Sequence, residues 1–322
     1  MTELLVGLII GIFIMFIVVN INKTKKKRSL KLVQEAVPTE LACRIPEGLP
    51  IISRLEDSLN SEYMEKVKKR VLANHPNWTE TDFNWRLFEL KRYFLLAGIL
   101  KSVPMFSDEV DEIWHEMIMF TKEYENFSKK FFGSFLHHSP NVERTPIPHE
   151  RALFDWMYLH LFEIYPNSTK LWGGFLKNPL SKTLLEEVRS ASDEKLFDKY
   201  FRSFDPIKPL QTKLLEQLKN DIEKAEEMKR QNKSLRKEIK TDDTYSMLLP
   251  AMVFLSLYEQ DSYTEKMSQL LNKDAGTSGG SVYACGAALS DSNDHSGGSG
   301  CSSSGCSSSN CGSSCGGGCG SS

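Results

Sequence analysis

Asp111 and His115 stand four residues apart in Val110-Asp111-Glu112-Ile113-Trp114-His115, and four-residue spacing on a helix puts both side chains on one face. A carboxylate so placed can orient an imidazole and raise its basicity, the usual support for a metal-ligating or proton-transferring histidine. His137 and His138, in His137-His138-Ser139-Pro140, supply a further imidazole if that segment folds back. Adjacent residues on regular structure point in different directions, so one of the two is excluded. Asp111, His115 and His137 form the candidate metal set, with zinc or another transition metal as the ion. The same residues also have a packing account. In it Trp114 anchors the core, Asp111 pairs with His115 or caps a neighbouring helix, and the two histidines end a helix.

His115-Glu116 opens like a zinc-protease helix, but the second imidazole needed one turn later is Met119, so that motif fails. His149 and His160 read as surface or helix-packing residues. The chain has no Gly-x-Ser-x-Gly elbow, phosphate loop, dinucleotide fingerprint or Cys-x-x-Cys pair. No catalytic residue and no cofactor is therefore assigned, and the enzyme question leans negative. A second thiol-based metal candidate is Cys301, Cys306, Cys311, Cys315 and Cys319, spaced five, five, four and four residues apart among Ser and Gly. Those intervals suit a flexible wrap around a soft ion better than tight zinc knuckles. Free or modified thiols are the first expectation there, soft-metal binding the second, and disulfides the last.

The elements that must carry these residues fall into three regimes. Of 322 residues, 13 of the 20 glycines and six of the seven cysteines lie beyond residue 275, while Leu4 to Val19 carries no charge. Thirteen Leu, Ile, Val and Phe residues in that stretch favour bilayer insertion by roughly 4 to 8 kcal/mol. Basic residues follow it (Lys23, Lys25, Lys26, Lys27, Arg28 and Lys31), so the sequence predicts an uncleaved single-pass anchor at the cell membrane, N-terminus outside and body cytoplasmic. Gly7 and Gly11 share a face of that helix and give a seam for a homodimer, although glycine is common in membrane helices. A net charge of −2 excludes nucleic-acid binding by bulk positive charge.

The expected organisation is all-α: anchor 1–22, basic juxtamembrane segment and linker 23–53, helical domain 54–205, helical arm and short apolar helix 206–275, and disordered Gly/Ser/Cys tail 276–322. Thr79 with Asp82 predicts a capping box for a helix through Phe83, Leu87, Leu90, Phe94 and Leu95. Ser107 predicts the start of a second helix, with Val110, Trp114, Met117, Thr121 and Tyr124 on one face and Gly133 ending it or its continuation. A third runs from Leu153 to Tyr165 and stops at Pro166, while Ser181 and Ser192 cap two shorter ones. Leu210 to Lys240 predicts a charged helical hairpin arm. The uncharged Tyr245 to Tyr258 predicts a helix buried on the body, with a re-entrant membrane segment as the alternative. Asn77-Trp78-Thr79 and Asn167-Ser168-Thr169 fit glycosylation sequons but fall on the wrong side of the predicted membrane.

The motif Val110-Asp111-Glu112-Ile113-Trp114-His115, followed by Tyr124, Phe127, Phe132-Gly133 and His137-His138-Ser139-Pro140, resembles the glycine-rich domain-containing protein-like family over about residues 80–145. The Gly-rich C-terminus is in keeping with it. The resemblance implies a helical domain linked in plants to stress and growth responses. Two positions depart from the family's pattern: Met117 where a second histidine of Trp-His-x-His is expected, and Ser128 where a cysteine is expected. If that pattern were a metal site, two ligands are lost here. The sequence thus reads as a membrane-anchored, cytoplasmic-facing helical interaction or scaffold protein, its partners a lipid bilayer and an unidentified protein. The alternative is a metal-binding protein or metal-dependent enzyme centred on Asp111, His115 and His137.

Overall fold

Capping chemistry sets the helix starts. In the computed structural model, which describes residues 30–138, 147–231 and 244–273, Thr79 accepts from the Asp82 amide while the Asp82 carboxylate accepts from Thr79 N–H, closing the box that opens α3 (Glu80–Ile99). Before it come α1 (Leu49–Ser58) and α2 (Ser61–Asn74), the latter capped by the Asn60 side chain on two amides. Ser107 caps α4 (Asp108–Ile118) through the Val110 amide, and its hydroxyl also donates to the Leu171 carbonyl at 2.6 Å. The expected long helix breaks at Met119-Phe120, and α5 (Thr121–Phe132) follows. Gly133, at φ +74°, ends α5 in the left-handed region that only glycine adopts without strain.

The third apolar helix, α6, spans Pro148–Leu161 rather than reaching Tyr165. Phe162 instead makes an antiparallel bridge to Cys43, and Pro166 opens a helix, α7 (Pro166–Trp172), at a position where its missing N–H costs nothing. Ser181 caps α8 (Lys182–Ser190), whereas Ser192 precedes α9 (Asp193–Tyr200) without a side-chain cap bond. The charged segment forms α10 (Lys208–Arg230), whose buried stripe Leu214, Leu218, Ile222, Ala225 and Met228 packs on α11 (Thr244–Tyr258). An arm free of the body is therefore not what α10 provides. Leu248 to Leu255 of α11 are buried in the same core, and α12 (Tyr263–Lys273) completes twelve α-helices among the described residues.

α3 is the central element. From Leu90 to Ile99 every side chain but Lys91 is buried, because α1, α2, α4 and α7 all pack around it. Asn167 of the second sequon is fully buried, its amide paired with both Val33 N–H and Val33 carbonyl, so that site is closed to glycosylation. No helix among the described residues is long and apolar enough to cross a membrane. The predicted anchor with Gly7 and Gly11, and the tail cysteines Cys301, Cys306, Cys311, Cys315 and Cys319, lie outside the described residues.

Candidate metal centre

α4 presents Asp111 and His115 on one face, as their spacing requires, with the His115 Nε2 to Asp111 Oδ2 distance at 3.4 Å. The third group arrives from the segment after Gly133. Burial there alternates: Phe135 and His137 are exposed, Leu136 is buried and His138 is partly buried. His138 Nε2 consequently sits 2.9 Å from His115 Nε2 and 3.3 Å from Asp111 Oδ1. His137 turns outward onto the Phe135 ring, at 4.9 Å between centroids, and lines the cleft without joining the cluster. The histidine that folds back is thus His138, because the segment is not helical and Leu136 decides which side faces inward.

Two hydrogen bonds in series and a ring contact hold that segment. Trp114 Nε1 donates to the Tyr124 hydroxyl at 2.9 Å, and that hydroxyl donates to the Leu136 carbonyl at 2.7 Å. The Trp114 indole also lies against the His138 ring, 4.2 Å between centroids. Trp114 is the core anchor the sequence suggested and at the same time the wall of the site.

His138 Nε2 and His115 Nε2 stand 2.9 Å apart, His138 Nε2 lies 3.3 Å from Asp111 Oδ1 and His115 Nε2 lies 3.4 Å from Asp111 Oδ2, so one donor atom from each residue falls within 4.8 Å of the other two. A tetrahedral zinc with bonds of about 2.0 to 2.1 Å separates its ligand atoms by about 3.3 Å, a spacing that the two imidazole-to-carboxylate distances match. Asp111 Oδ1 is buried and, despite the nearby imidazole, accepts no hydrogen bond. Burial pushes the Asp111 carboxyl above its ordinary range, an effect the two imidazoles partly offset. Burial likewise pushes His138 down, against the pull of Asp111, which favours the neutral ring over the charged one. The trio opens onto a cleft of about 960 Å³ that Tyr93, Lys101, Phe106, Arg151 and Arg202 also line.

Residues 43–150 match the UCP032817-like family. That stretch runs from before α1 into the start of α6 and contains all three donor residues. No curated protein and no solved structure matches the chain. Within the matched stretch, Met117 and Ser128 are fully buried and neither lines the cleft. Their departure from the resembled pattern therefore removes nothing from the trio. His160 and His149 are placed elsewhere: His160 pairs with Asp221 at 2.8 Å in the core, and His149 meets the Pro179 carbonyl.

Proposed function

We propose that the helical body holds a divalent transition metal on Asp111, His115 and His138 and acts as a metal-dependent enzyme on a substrate that enters the adjoining cleft. The convergence of three donor atoms at metal-ligand spacing, one of them a buried carboxylate oxygen with no hydrogen bond, carries this reading. Two imidazoles and one carboxylate suit zinc or Fe(II), and three protein ligands leave coordination positions open, as catalytic sites do. When bound, the metal polarises a ligand or lowers the pKa of a bound water. Asp111, His115 and His138 hold the ion, Trp114 and Tyr124 orient His138, and the cleft admits the substrate.

The Leu4 to Val19 segment and its basic flank support a cell-membrane anchor with the N-terminus outside and the body cytoplasmic. On the Trp114-His115 pattern and the Gly-rich tail, the body is kin to the glycine-rich domain-containing protein-like family. Metal content per chain, measured by elemental mass spectrometry on the purified full chain, tests the site. One metal is expected in the wild type and in His137→Ala, and none in His115→Ala or His138→Ala. A metal-free wild type overturns the reading and returns the protein to an interaction or scaffold role. Loss in His137→Ala with retention in His138→Ala would move the third ligand to His137.

A further inference from the structure

Of the three cations lining the cleft, two are already committed. Arg151 spends its guanidinium on Asp155, at 2.8 Å, and on the carbonyls of Trp172 and Gly174. Lys101 reaches the Asp198 carbonyl and carboxylate at the outer rim. Arg202 differs. Its Nε donates to the Leu100 carbonyl at 3.1 Å, but among the described residues no carboxylate pairs with it and neither terminal nitrogen makes a hydrogen bond. The antiparallel bridge Leu100 to Phe201, with Arg202 N–H on the Ile99 carbonyl at 2.9 Å, fixes its backbone beside α3. Burial pushes the guanidinium below its ordinary value, so the charge is partly desolvated without a counter-ion. Arg202, Tyr93 and the Asp111, His115 and His138 trio all line the one cleft.

We infer that the cleft takes a small substrate bearing an oxyanion, a carboxylate or a phosphate, held by the Arg202 guanidinium while the reacting group meets the metal. This rests on the metal-dependent reading and adds the class of substrate. A planar fork of N–H donors matches such an anion, and a charge-assisted bond in a partly desolvated cleft is stronger than one at the surface. The cleft volume falls in the range of small-molecule sites.

The test uses the full chain in detergent, loaded with Co(II), with acetate and inorganic phosphate titrated separately while the visible cobalt spectrum and the heat of binding are followed. At least one anion is expected to saturate, and the tighter of the two names the group. Arg202→Gln should weaken it by about tenfold or more, the size of one charge-assisted hydrogen bond, with metal content and helicity unchanged. Arg202→Lys keeps the charge and loses the fork, so intermediate binding is expected, and this variant decides the matter if the Gln variant does not fold. Metal retained with neither anion binding, or binding equal in wild type and variant, overturns the inference and leaves the metal reading intact. A chain that takes no metal overturns the metal reading, whereas anion binding to that chain with the same Arg202 dependence upholds the anion site.

Discussion

Two polar clusters of the helical body are built on different plans. In the core, Glu89 is fully buried and accepts from the Tyr158 hydroxyl at 2.6 Å and Trp172 Nε1 at 2.8 Å. Arg92, equally buried, donates to the Leu41 carbonyl and the Tyr158 hydroxyl, and its guanidinium carbon stands 4.2 Å from the Phe88 ring centroid. Most polar atoms there have a protein partner, although Arg92 Nη2 is buried without a hydrogen bond. At the cleft, Asp111, His115 and His138 crowd their lone-pair atoms together, a buried carboxylate oxygen lacks a hydrogen bond, and open space lies alongside. The first cluster pairs its carboxylate and its cation inside the core, whereas the second brings three lone-pair groups together beside a cleft.

Glu89→Ala tests that difference with the largest expected effect. It leaves Arg92 as an unpaired buried cation and strips acceptors from Tyr158 and Trp172, so a loss of about 3 to 5 kcal/mol is expected in urea unfolding. His115→Ala, an exposed residue, should stay within about 1 kcal/mol of the metal-free wild type while abolishing metal binding. Equal costs for the two would erase the distinction between the clusters.

High pH probes the same contrast through tyrosines. Burial pushes the phenols of Tyr63, Tyr93, Tyr124, Tyr158 and Tyr263 above their ordinary value. With folded values raised, their contribution is fully present below the unfolded value of about 10 and is lost as pH rises past it, by about 1.4 kcal/mol per unit for each phenol that must ionise. Tyrosinate absorbance and helicity should change together above that point. Tyrosinate appearing while helicity holds would show the phenols to be accessible.

Tyr124→Phe has a smaller effect and reads out how the core supports the site. It removes the acceptor of Trp114 Nε1 and the donor to the Leu136 carbonyl. An orienting group of this kind is worth about 10- to 100-fold in metal affinity. A tenfold weaker metal with stability reduced by about 1 to 3 kcal/mol is the expectation, from competitive chelator titration and urea unfolding. Unchanged affinity would mean that His138 is positioned without the hydroxyl.

Much of the scaffold was legible because it is written in local chemistry. Thr79, Ser107 and Ser181 mark helix starts by side-chain oxygens within reach of free amides, and Gly133 marks an end by its positive φ. The Asp111 and His115 pair was legible for the same reason, since four-residue spacing is a local rule. The third member of the cluster was not. His137 and His138 are distinguished only by which face of a non-helical segment Leu136 anchors, and that depends on a pocket made by Trp114, Tyr124 and their neighbours. Arg202 was invisible for a stronger reason: it joins the cleft beside the bridge between Phe201 and Leu100, 101 residues apart in sequence, with no motif around it. The packing of α10 was misjudged as an arm because its many charges hide a continuous apolar stripe that α11 covers.

The smallest expected change in stability gives the sharpest contrast, since one carboxylate-to-amide substitution should act oppositely in the two clusters. Glu89→Gln keeps the size of the side chain but cancels the charge that balances Arg92 and turns one acceptor into a donor, so it should destabilise strongly. Asp111→Asn removes a charge that the metal-free fold does not favour. Burial raises the Asp111 value, and Asp108 and Glu112 raise it further against the opposing pull of His138 and His115. A raised folded value means that the contribution of the group is present below the unfolded value and is lost as pH climbs through the folded one. At neutral pH the metal-free wild type therefore carries a small penalty that Asp111→Asn relieves. Metal-free Asp111→Asn should match the wild type or exceed it by about 0.5 kcal/mol, and its stability should no longer improve as pH falls through the carboxylate range. Metal binding should be lost in the same variant, because an amide oxygen is a far poorer ligand for a transition metal than a carboxylate. A large destabilisation of metal-free Asp111→Asn, measured by urea unfolding at neutral pH, would instead place Asp111 among the structural carboxylates and make its pairing with the two imidazoles an end in itself.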